Sequence, residues 1–327
     1  MTLRAARWGA YGMTAYGLLR MARVARNTAP RVATPWTADV VAIVPARDEA
    51  RGIADCVNAL RANGLRDVVV VDDASSDDTA DLARQAGATV VGAPPLRAGQ
   101  RGKAAACLTG AGTTRSEWLW FVDADVTVAP DALSRLLAVA DESGASLVSA
   151  LGRVATPTPA MAWLLPEVGL TLARRVDLET FASGQCLLVH RAAYDAVGGH
   201  DVTAVAEDLA LARAVTHRGY VVRTVLGPDL YETRMYATLG EAWRGLVKNA
   251  ADVRRTPKVE YAWLAATLLG GRRAYAMNVV VSAGGRLVAR QPLWPAAAAP
   301  IAELWLIANW WRSRRRPPVA WKGRPVW

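Results

Sequence analysis

The chain has 327 residues, 52% of them hydrophobic, enough for a sizeable core in one large or two small domains and too many for disorder over most of its length. Lys and Arg exceed Asp and Glu by 39 to 29, but the excess sits mainly in the two ends, which argues against a uniformly basic nucleic-acid surface and so against nucleic acid as a partner. Cys56, Cys107 and Cys186 are far apart, lack C-x-x-C spacing and lie among small or apolar residues, the pattern of buried free thiols in a reducing compartment.

In chain order, the uncharged stretch 8–19 has Arg4, Arg7, Arg20, Arg23 and Arg26 around it and no clear cleavage site, so no secretory signal is expected. Segment 1–36 reads as a basic amphipathic helix suited to a membrane interface, with packing on the domain surface as the alternative. The pattern then predicts strand 40–44, helix 50–62, strand 68–71, helix 77–86 and strand 88–91, followed by helix 102–112, strand 118–122, a helix opened by Pro130 and Asp131, and strand 146–149. Strands alternating with helices imply an α/β, mostly parallel sheet. Beyond Gly152 the regularity falls away: 156–159 reads as a loop and 164–176 as an apolar helix able to line an acceptor cleft. Order returns with strand 185–190 and helices 191–197 and 207–218.

After Lys258 come three apolar segments, 261–271, 274–285 and 292–311, separated by arginines. Only the last approaches the roughly 20 residues needed to cross a bilayer. It contains Glu303 and three prolines, so an interfacial or re-entrant hairpin stands beside a true span. Trp305, Trp310 and Trp311, followed by Arg312 and Arg314 to Arg316, have the pattern of an aromatic belt with a basic anchor. The expected organisation is an N-terminal interfacial segment 1–36, a catalytic domain 37–255 on the cytoplasmic side, and a membrane-associated region 256–327.

The chemistry lies where the strands end. A strand buried on both faces delivers its first polar residues at its C-terminal edge, where open parallel sheets bind ligands. The valine run 68–71 ends in Asp72-Asp73, and W-L-W-F-V ends in Asp123-Ala124-Asp125. Carboxylates gathered on one rim repel unless a divalent cation or hydrogen-bond donors lie between them, which points to a metal–nucleotide site and an enzyme.

These motifs resemble the inverting family 2 glycosyltransferases of GT-A fold, a Rossmann-like sheet flanked by helices. Pro45-Ala46-Arg47-Asp48-Glu49 matches the family's element after the first strand, and V-D-D-A-S-S-D-D-T, 71–79, matches the second. Gly102-Lys103 precedes a small-residue helix, Asp123-Ala124-Asp125 matches D-x-D, and Glu207-Asp208 matches the E-D element opening a helix. The resemblance implies donor contacts from Pro45, Glu49, Asp72, Asp73, Lys103 and Asp123, and a Mn²⁺ or Mg²⁺ ion on Asp123 and Asp125. It also implies donor or acceptor subsites at Gly184, Gln185, His200 and Glu207, and Asp208 as general base. On the residues alone, Asp77 and Asp78 read as helix-capping groups and Glu207-Asp208 would suit any helix start.

The Q-x-x-R-W string of processive members is absent. Arg234-Met235-Tyr236 and Trp321-Lys322-Gly323-Arg324 resemble instead a subgroup that glycosylates membrane lipids such as carotenoid or hopanoid derivatives, with Arg234 partly replacing the missing phosphate-contacting arginine. The expected partners are a nucleotide-sugar donor, with UDP favoured and guanosine open, a lipid or terpenoid acceptor, and a membrane surface. A polyprenyl phosphate acceptor, a sugar-phosphate nucleotidyltransferase and a non-catalytic membrane scaffold are the alternatives.

Overall fold

The computed structural model describes residues 35–175, 181–204, 206–252 and 271–315, with short stretches outside them. In chain order the elements are β1 (Val40–Ala46), α1 (Ile53–Arg61), β2 (Val68–Asp72), α2 (Thr79–Gln85), β3 (Thr89–Gly92), α3 (Gly102–Gly112), β4 (Trp118–Val122), β5 (Val126–Val128), α4 (Ala132–Ser143) and β6 (Leu147–Leu151). Then follow β7 (Arg153–Val154), α5 (Pro159–Arg175), β8 (Cys186–His190), α6 (Arg191–Ala196), α7 (Glu207–His217), β9 (Val222–Leu226) and β10 (Tyr231–Thr233). The chain continues through α8 (Leu239–Asp252), α9 (Gly271–Val288), a 3-10 turn (Trp294–Ala298) and α10 (Ala299–Arg315).

Seven strands form one sheet in the order β3-β2-β1-β4-β8-β6-β9. Six point the same way, and β8 runs antiparallel to both β4 and β6. Alternate residues of each strand enter separate cores. Val40, Ala42, Val44, Val68, Val70, Trp120 and Leu188 pack against α1 and α4. Val41, Ile43, Val69, Val71, Phe121, Leu187 and Val189 pack against α3 and α7. Both faces are therefore dry, which is why the sequence shows unbroken apolar runs rather than alternation. Pro45 fits a central strand because pairing with β4 ends at Ile43↔Phe121, so its missing N–H breaks no bond on that side.

The anticipated elements are present with small shifts. The strand expected at 185–190 starts at Cys186, and the helix expected from Pro130 starts at Ala132 with Asp131 as N-cap and ends at Gly144, whose φ of 63° closes it. Strands β5, β9 and β10 were not anticipated: three to five residues of V-T-V, V-R-T-V-L and Y-E-T carry too little periodicity.

Packing groups the chain into two units, Thr28–Gly152 with Asp177–Thr233, and Arg153–Val176 with Arg234–Trp327 and Met1–Asn27. This grouping differs from the boundaries expected at 37 and 255 in that α5 and α8 go with the C-terminal helices. The reason is apolar burial, since Met161, Leu164 and Leu165 of α5 pack with Tyr236, Ala242, Leu246 and Ala302. Leu164 is thus core and not the wall of an acceptor cleft; the side chains of 170–180 and the segment 1–10 lie outside the described residues.

Within the C-terminal unit a buried arginine mends a broken helix. Pro166 inside α5 has no N–H to offer the Ala162 carbonyl. Arg286 Nη1 donates to that carbonyl at 2.7 Å and Nη2 to the Trp163 carbonyl at 2.9 Å, while Nη2 also meets Glu167 Oε1 at 3.0 Å. Arg286 is fully buried and Glu167 1% exposed. The expected aromatic belt is corrected too: Trp310 is buried, Trp305 packs edge-on against Trp243 at 4.9 Å, and Trp311 alone of the three is exposed. Among the described residues no helix is long and apolar enough to cross a membrane.

Candidate functional site

The site is assembled at the C-terminal rim of the parallel strands. Two loops are sewn together there. Asp48 N donates to Ser75 Oγ at 3.0 Å, Ser76 N to Asp48 Oδ1 at 2.7 Å, Glu49 N to Thr79 Oγ1 at 2.8 Å, and Ala50 N to Asp77 Oδ2 at 3.2 Å. Arg47 donates to the carbonyls of Asp73 and Ala74, and Asp73 N to the Ala46 carbonyl at 2.8 Å. Asp48 and Ala74 hold φ of 51° and 54°, a left-handed backbone that this stitching sustains. Asp77 accepts from Thr79 N at 3.1 Å and has its carboxyl held low, since hydrogen bonds from Thr79 and Ala50 outweigh the opposing desolvation. That is the capping role expected of it. Asp72 accepts long bonds from Ser75 N at 3.4 Å, and Asp73 is buried.

The Asp-Ala-Asp segment follows β4 as a turn closed by Val126 N donating to the Asp123 carbonyl at 3.1 Å. The turn takes the chain out of the large sheet, and β5 then pairs with β10. Gly52 permits the close approach, because a Cβ there would lie 3.2 Å from the Ala124 carbonyl oxygen.

The antiparallel strand supplies the other wall. Val122 pairs with Cys186, so the start of β8 abuts the end of β4, and Asp123 N donates to the Gln185 carbonyl at 3.2 Å. The Gln185 side chain lies 3.0 Å from the Tyr231 hydroxyl. On the sheet face covered by α3 and α7, α3 lies close because Gly110 leaves room for Ile43 and Val71; a Cβ there would meet Ile43 Cγ2 at 2.5 Å. That seats Lys103 between carboxylates. Its Nζ is 2.7 Å from Asp123 Oδ1 and 3.1 Å from Glu207 Oε1. Gly184 N donates to Asp208 Oδ2 at 2.7 Å, and a Cβ on Gly184 would fall 3.0 Å from Lys103 Nζ.

Charges in this cluster are unequal. Burial would raise Glu207, but Lys103 chiefly holds it below the usual carboxylate range, and the α7 N-terminus favours it further. Burial pushes Asp208 up to about 6, the Glu207 charge adds to this, and Lys103 with the N–H groups of Gly184 and Leu209 pulls back. Lys103 loses solvation yet is held well above its ordinary value by Asp123, Glu207 and Asp208. Two neighbouring acids pushed apart in this way are suited to different tasks.

His200 does not open onto the rim. It is buried, edge-on to Phe121 at 4.7 Å and 3.0 Å from the Tyr194 hydroxyl, and desolvation lowers its pKa to about 4. Its expected place as a subsite contact is corrected to a core position. Arg234 is exposed and belongs to the C-terminal unit. Sequence reading gave no role to Arg47, Gly52 or Tyr231. The available signals of close packing were Gly52, just before α1, and Gly110, inside α3.

Among the described residues no three His, Cys, Asp or Glu side chains form a complete metal site. A small dication nevertheless keeps waters and takes substrate phosphates with one or two carboxylates. The Cys56 thiol beneath the rim is pushed up by burial first, then by the charges of Asp125, Asp123 and Glu49. The negative potential there, with oxygen donors only, fits a Mg²⁺- or Mn²⁺-like ion at Asp123 and Asp125.

Residues 41–198 match the family described as Glycosyl transferase family 2. The chain carries a family 2 glycosyltransferase domain. Over a longer stretch, the chain is 30% identical over 243 residues to the 4,4'-diaponeurosporenoate glycosyltransferase of Staphylococcus aureus, 68% of this chain and 64% of that relative's length. It is also similar in fold to a mannosyltransferase from Pyrobaculum calidifontis, solved with GDP-Man and Mn²⁺, at 20% identity and a TM-score of 0.63, covering 96% of this chain and 99% of the other. The GT-A-like arrangement expected of the family 2 domain is thus the one found: a mostly parallel sheet between helices.

Proposed function

We propose that the chain transfers one sugar from a nucleotide-sugar, UDP-linked by preference, to a hydroxyl or carboxylate of a lipid-type acceptor at the cytoplasmic face of the cell membrane, inverting the anomeric centre. The observation that carries this reading is the cluster of Lys103, Asp123, Glu207, Asp208 and Gly184 on one rim of a family 2 domain. Asp208, raised to about 6, is ionised at neutral pH yet basic enough to take a proton. The acceptor oxygen attacks the anomeric carbon as the bond from that carbon to the diphosphate oxygen breaks, and the acceptor proton passes to Asp208. Glu207 stays charged and fixes Lys103, whose ammonium offsets negative charge on the departing diphosphate. Asp123 and Asp125 would hold the divalent cation, which supplies Lewis-acid stabilisation of the leaving group.

Pro45, Glu49, Asp72 and Asp73 form the edge on which base and ribose rest, and Gly184 and Gln185 shape the sugar subsite. The lipid acceptor is supported by likeness to the diaponeurosporenoate enzyme, and the cation by the Mn²⁺ bound in the mannosyltransferase of the same fold. Calorimetric titration of the detergent-purified chain with UDP and GDP, each with and without Mn²⁺, tests the reading. Metal-dependent binding of one nucleotide, lost in Asp125→Asn, is expected; binding of neither removes its basis.

A further inference from the structure

Three consecutive elements of the C-terminal unit bury polar side chains while exposing large apolar ones. On α9, Asn278, Ser282 and Arg286 recur every four residues and are buried, whereas Val280 and Leu287 are 59% and 67% exposed. In the 3-10 turn region Gln291 is buried and donates to the Val154 carbonyl at 2.8 Å, while Leu293 and Trp294 face outward. On α10, Glu303, Asn309 and Ser313 are buried; Ile301, Leu304 and Trp311 are exposed, at the spacing of one helical stripe.

Water-soluble helices bury the opposite set. Scattered exposed leucines need no explanation, but a contiguous apolar surface backed by a polar interior does. Arg286 is paired with Glu167, Ser282 and the carbonyls of α5, and Asn278 donates to Thr267, which is the arrangement side chains adopt when the surroundings are apolar. The charge pattern names the surroundings. From Gly271 to the C-terminus the sequence holds ten Lys or Arg and one acid, Glu303, which is buried. Arg272, Arg273, Arg290 and Arg312 are exposed near the ends of the two apolar stripes.

We propose that Val280, Leu287, Trp294, Ile301, Leu304 and Trp311 form a lipid-contacting surface that seats α9 and α10 in the interfacial layer of an anionic bilayer, with the exposed arginines at headgroup level. It deepens the membrane side of the function proposed above and rests on that reading only for the acceptor.

The test is flotation of the full chain with vesicles of phosphatidylcholine alone or with roughly one third phosphatidylglycerol. The chain floats with the anionic vesicles, and Ile301→Glu/Leu304→Glu lowers the partition coefficient at least about tenfold, because charge on this face must leave the lipid. Arg273→Gln/Arg312→Gln weakens binding to anionic vesicles only. Nucleotide titration and melting curves of the same variants match the parent, so a folding defect or failure of the donor reading is recognised separately. Unchanged flotation of the glutamate variant overturns the proposal. So does a parent that ignores vesicles and forms a dimer which the same substitutions dissociate, since a second copy would then be the occupant.

Discussion

The sheet unit and the C-terminal helices solve opposite solvation problems with one chain. Around the sheet, Val, Ile, Leu and Trp120 fill two dry layers and the charges are gathered at one rim. In α9 and α10 Asn278, Ser282, Arg286, Glu303, Asn309 and Ser313 are buried while Val280, Leu287, Ile301, Leu304 and Trp311 are exposed. Charge at the rim is therefore available for chemistry, while charge in the helices, Arg286 above all, is committed to holding segments together. A buried polar group identified from sequence cannot be called functional or structural until its partners are known.

Substitution at the rim should remove activity and spare the fold. Asp208→Asn is expected to lower turnover about 10³-fold, in line with loss of a general base, with the nucleotide titration unchanged. The raised pKa gives a second readout. An acid whose folded value lies above its unfolded one favours folding at low pH, and that contribution is lost as pH rises from about 4 through about 6. Asp208→Asn should accordingly melt higher than the parent at pH 7.5, by about 1–3 kcal/mol in stability, and not at pH 4. A variant that is inactive because it is unfolded would break the comparison.

In the helical unit the reverse is expected. Arg286→Met leaves Glu167 buried without its cation and the Ala162 carbonyl without the donor that Pro166 cannot supply, a loss of about 3–5 kcal/mol. Adding Glu167→Gln should recover part of it. Thermal denaturation in detergent, followed by circular dichroism, measures both; additive losses would show that the pair is not coupled.

His200 tests the sheet unit from below. Its folded pKa of about 4 lies under the ordinary value of 6.5, so the unfolded chain takes up the proton first and stability is lost as pH falls from 6.5 towards 4, by up to roughly 3 kcal/mol. His200→Gln should flatten that slope in urea titrations at a series of pH values. The smallest readout is a shift in pH dependence: beside the loss of turnover expected for a diphosphate contact, Lys103→Met lifts the restraint on Asp208 and moves the acid limb of the kcat/KM profile upward by about one pH unit. A limb that stays in place would detach Lys103 from the base.

How much was legible beforehand varied with the length of the signal. Continuous valine runs and the motifs at 45–49, 71–79, 123–125 and 207–208 placed the sheet, its rim and most of the clustered carboxylates, because a doubly buried strand and the residues that end it are written locally. His200 was misjudged since Phe121 and Tyr194, which enclose it, lie 79 and 6 residues away in the chain. Leu164 was misjudged because an apolar helix face does not say which surface covers it.

By itself, the sequence determined the alternation of strand and helix, the acidic strand ends and the basic, apolar C-terminal region, all of which follow from short-range periodicity and composition. Only the tertiary structure decided that β8 runs backwards and so brings Gly184 to Asp208, that Lys103 joins Asp123 to Glu207, and that the C-terminal helices bury Asn278, Ser282, Arg286 and Glu303. Those outcomes depend on pairing between distant segments and on what each face must exclude, and neither is recorded in any one stretch of the chain.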